Sequence, residues 1–249
     1  MRPTIWCLLV IAVGGAKKLS AAEPATDRSE MLLKAVEQRM KDVESFYAKC
    51  ERVDIHPLTK KEVKLVGEIA WQRPNKAKLD LSFSDETDKP DAQKTRLERF
   101  IADGRKLYEY NAANKVIVVH ELPKDAEQNL LVSFMKGMKA EELRKRFDIE
   151  YFEASEKRKE WYAVLRFDPK TPADKQDFQF IEVAVWLKNP NKENEPDIAH
   201  IPWHIRYVQP NGGEVRFRFT SIRPNPKFDE SAFAPVSIRG YALKHAAQP

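Results

Sequence analysis

Cysteine is nearly absent from this chain of 249 residues: only Cys7 and Cys50 occur. Cys7 lies in an N-terminal segment that reads as removable, which leaves Cys50 alone. One thiol makes no intrachain disulfide and no CxxC metal site. Its expected place is buried, the alternative being a bridge between two chains. Long apolar runs are missing as well. Ile5 to Val13 is too short to cross a bilayer, and no later segment is apolar enough to do so. Charge is not gathered into patches of one sign, so the footprint of a nucleic-acid binder is absent. There is no GxSxG elbow, P-loop, GxGxxG or HExxH. Nor is there a repeat of fixed period or a low-complexity tract. These absences point away from enzymes that carry such motifs, and no metal or cofactor is expected.

What is present begins with a secretory layout. Arg2 precedes the apolar run, and Ser20-Ala21-Ala22 offers small residues for cleavage. Residues 1–22 therefore read as a signal peptide, an uncleaved short anchor being the alternative. No lipid-attachment box precedes Cys7. The mature chain is expected to be soluble in the periplasm or another envelope compartment, without stable membrane insertion. It would keep 40 basic residues against 38 acidic ones, a net charge of about +2. Residues 23–249 fit one large β-rich domain, with an ordered core over about 29–235.

Leu33, Val36, Met40, Val43 and Tyr47 recur at three- and four-residue steps, which predicts an amphipathic helix from about Ser29 to Tyr47. From Cys50 onward the period is two. Val63, Leu65, Gly67, Ile69 and Trp71 alternate mainly with polar residues, and so do Leu79, Leu81 and Phe83. Further strands are expected over Phe100–Ala102, Lys106–Tyr110, Val116–Leu122, Phe147–Glu153, Trp161–Phe167, Phe178–Leu187, Pro202–Val208 and Val215–Ile222. Asp103-Gly104 and Asn211-Gly212-Gly213 suit hairpin turns. Gln128–Lys136 and Lys139–Arg146 read as two short helices. After Pro235 the tail reads as extended, then loose. The fold class is mainly β (α+β): a single, strongly curved antiparallel sheet, an unclosed half-barrel, with the helices over its concave side.

His200 and His204 are four apart, but in a β-like run that separation is roughly 13 Å. This is too far for one metal ion, whose nitrogen bonds are about 2 Å long. The pairs Glu141-Glu142 and Asp148/Glu150 lie among lysines and arginines and read as solvated faces rather than acid–base pairs. Arg73 keeps the parity of Ile69 and Trp71. An unbroken strand would aim its guanidinium at the apolar side, where it needs a partner; a bulge before Pro74 would turn it to solvent. Leu130, Leu131, Phe134, Met135 and Met138 give more apolar surface than one short helix needs. They are core, or a lid over a ligand. Trp71, Trp161, Phe178, Phe180, Trp203, Phe217 and Phe219 read as core first and pocket lining second.

The segment Gly67-Glu-Ile-Ala-Trp-Gln-Arg73-Pro74-Asn75 resembles the G-x-[apolar]-x-[aromatic]-x-R-P-N segment of the periplasmic lipoprotein carrier family, LolA. Ile101-Ala-Asp103-Gly104-Arg-Lys-Leu107-Tyr108-Glu-Tyr110-Asn111 resembles a second segment of that family, and Phe228–Phe233 its closing D-x-x-x-F. Tyr108-Glu-Tyr110, Lys115–Pro123 and Gly137–Glu142 look like a planctomycete-type domain of the same superfamily, a name that supplies no function. The resemblance implies an apolar cavity for acyl chains of lipoproteins or other lipids. Arg73 would act as a latch bonded to the lid, and Trp71, Ile69 and Leu81 would lie in the cavity with Leu130, Leu131, Phe134, Met135 and Met138. It implies donor and acceptor proteins in the envelope, no enzyme activity, and no cofactor. The long charged connections Asp85–Lys94 and Asn189–Pro196 depart from the carrier and put its docking partners in doubt. A lipoprotein-sensing or scaffold module without transport is the other reading. A sensor usually needs a second domain, and the mature length leaves no room for one.

Overall fold

The structure is a computed structural model and describes residues 25–95, 97–122 and 139–246. The expected signal peptide and the expected helix Gln128–Lys136, with Leu130, Leu131, Phe134, Met135 and Met138, lie outside the described residues. Three helices are described: α1 (Ala25–Lys41), α2 (Ala140–Arg146) and α3 (Pro172–Asp177). Twelve strands follow in chain order: β1 (Ser45–Ile55), β2 (Glu62–Gln72), β3 (Lys76–Phe83), β4 (Leu97–Asp103), β5 (Lys106–Asn111), β6 (Val116–Glu121), β7 (Phe147–Glu153), β8 (Tyr162–Pro169), β9 (Phe180–Trp186), β10 (Pro202–Val208), β11 (Glu214–Pro224) and β12 (Ala242–His245). They form one mixed sheet in the order β12-β6-β5-β4-β3-β2-β1-β11-β10-β9-β8-β7, with free ends rather than barrel closure.

Several expectations need correction. The helix stops at Lys41 instead of Tyr47, because Phe46, Ala48 and Cys50 alternate inward on β1 and the period is already two. Val43 and Tyr47 fit a helical step only by coincidence of spacing. The sheet is not wholly antiparallel, since β12 pairs parallel with β6, from Ala242↔Val116 to His245↔Val119. The tail, expected to be extended and then loose, is still extended at Ala242–His245, where it forms β12. Trp161, expected in the core, is 45% exposed, with the Lys188 ammonium 5.9 Å from its ring centre. Val63 is likewise exposed near the start of β2, although its parity is that of the buried face.

The described residues gather into two compact units. The first holds residues 25–43, 52–63 and 139–219. Leu32, Leu33, Val36 and Met40 are buried, as the helical stripe requires. Glu30 with Lys34 and Glu37 with Lys41 support α1 at four-residue spacing. Glu37 also accepts the Ala140 backbone N–H at 3.1 Å, placing a carboxylate at the N-terminus of α2. One face of β8–β11 is dense core: Leu165, Phe167, Val183, Val185, Ile205, Tyr207 and Phe217 are nearly all fully buried. The other face is laced with ion pairs, Arg206 to Glu182 and Glu214, and Arg216 to Glu214.

The second unit holds residues 44–51, 64–95, 97–122 and 220–246. Its two sheet faces differ. Arg99 on β4 lies on one of them, bonded to Asp80 at 2.5 Å and Asp91 at 2.6 Å. The charged connection carrying Asp91 is knit by Glu86, whose buried carboxylate accepts the Thr95 N–H and hydroxyl. The C-terminal segment covers the same face. The Tyr110 hydroxyl donates to the Val236 carbonyl and accepts the Val236 N–H, and Ile238 packs with Leu97, Ile101 and Ile117. The candidate site lies on the opposite face.

Candidate functional site

Register fixes which residues share that face. From β2 to β6, Trp71 pairs with Ala77, Ala77 with Ala102, Ala102 with Leu107 and Leu107 with His120. One row along, Ile69, Leu79, Phe100, Glu109 and Val118 are joined in the same way. The next row is Gly67, Leu81, Glu98, Asn111 and Val116. Period-two alternation puts all three rows on one surface.

Burial changes across this surface. On β2 and β3, Ile69, Trp71, Leu79 and Leu81 are buried, and Phe46 stacks on Trp71 at 6.0 Å. On β4 to β6, Phe100, Leu107, Val116 and Val118 are only half-buried. A sheet face with a sealed apolar end and a half-open end, where apolar residues stand among Glu98, Glu109, Asn111 and His120, suits contact with an amphiphile. The expected cavity residues Trp71, Ile69 and Leu81 therefore share one face. Sequence reasoning missed Phe100, Leu107 and Val118. Their even-and-odd alternation was visible, but which face was left half-open depends on packing that parity does not reveal.

Gly67 holds two strands close together. A Cβ placed there would sit 1.8 Å from the Asp80 carbonyl oxygen, so no other residue fits without backbone movement. Asp103 builds the hairpin that turns β4 into β5. Its carboxylate accepts the Arg105 and Lys106 N–H groups, each at 2.8 Å, and Gly104 follows at φ +103°. Burial pushes the Asp103 carboxyl up, but those N–H bonds and the Tyr108 hydroxyl outweigh it and hold the group below its ordinary value.

Arg73 stands in a turn, not on the strand, because β2 ends at Gln72. The alternation of β2 therefore stops one residue short of it. Its N–H donates to the Glu44 carbonyl at 2.9 Å, and its half-buried guanidinium lies 5.9 Å from the Trp71 ring centre. That is cation–π range, and it leans the charge toward the buried tryptophan. Bonds to the expected lid fall outside the described residues.

The remaining candidates lie elsewhere. Cys50 is buried and forms no disulfide among the described residues. His204 is 3% exposed on β10, and burial followed by the charges of Arg218 and Arg216 pushes its pKa down to about 2. His200 sits outside the strand at φ +59°.

No protein-family model and no curated protein sequence matches this chain. Several solved structures are similar to it. One is a putative outer membrane lipoprotein-sorting protein domain from Vibrio parahaemolyticus, with a TM-score of 0.42 and 11% identity over 84% of this chain and 97% of that one. A LolA superfamily protein from Nitrosomonas europaea gives a TM-score of 0.38 and 8% identity over 83% and 97%. A DUF1329 family protein from Desulfovibrio piger gives 0.41 and 11% over 84% and 97%. The likeness is one of fold, to LolA-superfamily and lipoprotein-sorting structures, and at these scores it decides nothing about what the chain binds.

Proposed function

We propose that this chain is a soluble envelope carrier, without a catalytic step, that holds acyl chains of a lipidated protein or lipid against the apolar face of β2–β6. The observation that carries this reading is the half-buried apolar surface of Phe100, Leu107, Val116 and Val118, continuous with buried Ile69, Trp71 and Leu81. The motif around Gly67 to Asn75 and the expected signal peptide support it. Among the described residues no helix is long and apolar enough to cross a membrane. Loading and release need only a difference in affinity between donor, carrier and acceptor. Each methylene taken out of water contributes about 0.8 kcal/mol. Affinity for a homologous series of lipids is therefore expected to rise roughly fourfold per methylene until the surface is filled.

Native mass spectrometry of protein purified from an envelope extract tests this, beside Arg73→Leu. A bound acyl-bearing mass whose amount changes in the variant supports a carrier with Arg73 controlling entry. A bare mass in both, with no uptake of added lipopeptide, removes the carrier reading and leaves a sensing or scaffold module.

A further inference from the structure

We infer that the bound amphiphile lies in one direction, tail over β2 and β3 and head over β5 and β6, and that the site selects a head that donates hydrogen bonds, cationic or amide, over an anionic one. This rests on the acyl-binding reading above and deepens it.

The three rows of the face change character in the same sense. They begin with Trp71, Ile69 and Gly67 on β2, all without ionisable side chains. They pass through Ala77, Leu79 and Leu81 on β3, equally apolar. Ionisable groups enter only from β4 onward: Glu98, then Glu109 on β5 and His120 on β6. No lysine or arginine occupies a position of these three rows. The lysines of β3 and β5, Lys76, Lys78 and Lys106, have the opposite parity. Arg73, in the turn after β2, belongs to the other end. Four strand spacings of roughly 4.8 Å separate Trp71 from His120 along their row, about 19 Å. That is more than two Debye lengths at physiological ionic strength, so Arg73 does little to offset the carboxylates of that end.

The polar end is organised. His120 Nε2 and Glu109 Oε2 are 3.2 Å apart. A carboxylate only accepts, so the imidazole N–H donates. The carboxylate keeps its second oxygen as an acceptor, and Glu98 and Asn111 add further acceptor oxygens on the same face. Both side chains are partly exposed, at 35% for His120 and 29% for Glu109. Acceptors beside half-buried Leu107 and Val118 fit an ammonium or amide N–H attached to an acyl chain. A phosphodiester would meet like charge there. An N-terminally lipidated peptide with a free amine has the matching chemistry; an anionic phospholipid does not.

The test uses the full chain and two probes of equal acyl length: a synthetic diacyl-cysteinyl peptide with a free amine, and phosphatidylglycerol. Affinities are read by displacement of an environment-sensitive fluorophore and confirmed by native mass spectrometry. Wild type is expected to favour the lipopeptide at least tenfold. Glu109→Gln is expected to narrow the ratio at least threefold, and Glu109→Lys to reverse it, with circular dichroism checking that each variant folds. Equal affinities in wild type, or a ratio that neither variant moves, overturn the inference while leaving the acyl-binding reading intact. Failure to bind either probe overturns that reading, and the inference with it.

Discussion

Single positions carry more of this molecule than composition suggests. Gly67 belongs to the motif around Arg73, and the structure supplies its reason: the Asp80 carbonyl occupies the space of a side chain. Gly67→Ala must therefore push β2 and β3 apart, and overpacking of this kind costs about 1–3 kcal/mol. Differential scanning calorimetry should show a fall of several degrees in Tm; an unchanged Tm would mean that the strands yield freely. His204 is a second such position, and its effect depends on pH. Its folded pKa is lowered to about 2 by burial and by Arg218 and Arg216, so it stays neutral in the fold while the unfolded chain takes up a proton near pH 6.5. Below pH 6.5 the unfolded state binds more protons, and stability falls as the pH falls. At pH 5 this amounts to roughly 2 kcal/mol relative to neutral pH. His204→Gln should flatten that part of the stability curve. Urea denaturation at pH 7.5 and pH 5 checks it: parallel losses in wild type and variant would contradict a buried neutral histidine. Nothing in the sequence marked His204 as buried, since a lone histidine beside Trp203 reads equally well on either face.

Turns decided where reading the elements succeeded. The Asp103-Gly104 hairpin was legible because its chemistry is local: an acceptor one residue before a glycine at positive φ. Asp103→Ala removes the acceptor of two backbone N–H groups and should destabilise the β4–β5 hairpin by about 1–2 kcal/mol. Hydrogen exchange would report it as faster exchange at Arg105, Lys106 and their neighbours. If protection there is unchanged, the carboxylate does not hold the turn. Where the signal is not local, reading failed. Parity along β2 placed Ile69 and Trp71 correctly on one face, yet could not tell that the strand ends at Gln72, one residue before Arg73. The helix was overrun at its end for the same reason. Val43 and Tyr47 satisfy both periods, and only the inward alternation of Phe46, Ala48 and Cys50 distinguishes them. The apolar face was therefore visible as a set of residues, and its half-open part was not.

An open sheet has two edges, and each needs protection from pairing with other chains. Here one edge strand is β12, whose four residues are all exposed and which pairs in parallel with β6. A tail of low hydrophobicity gave no sign of a strand, because its partner lies more than a hundred residues away and no side chain of it is buried. The segment just before it is anchored instead, by Ile238 in the core and by Val236 on the Tyr110 hydroxyl. That division of labour predicts what ending the chain after Tyr241 would do. The anchors remain, and the lost strand buried little apolar surface, so Tm should move by only a few degrees. Removing β12 also uncovers the outer backbone groups of β6, a strand rich in valine and isoleucine. Those groups would pair with whatever extended chain they meet. Light scattering as a function of protein concentration should therefore show the truncated chain associating where the full chain does not. A large loss of Tm would instead make β12 a structural strand. A truncated chain that stays monomeric would mean that the lysine and histidine of β12 are not guarding this edge.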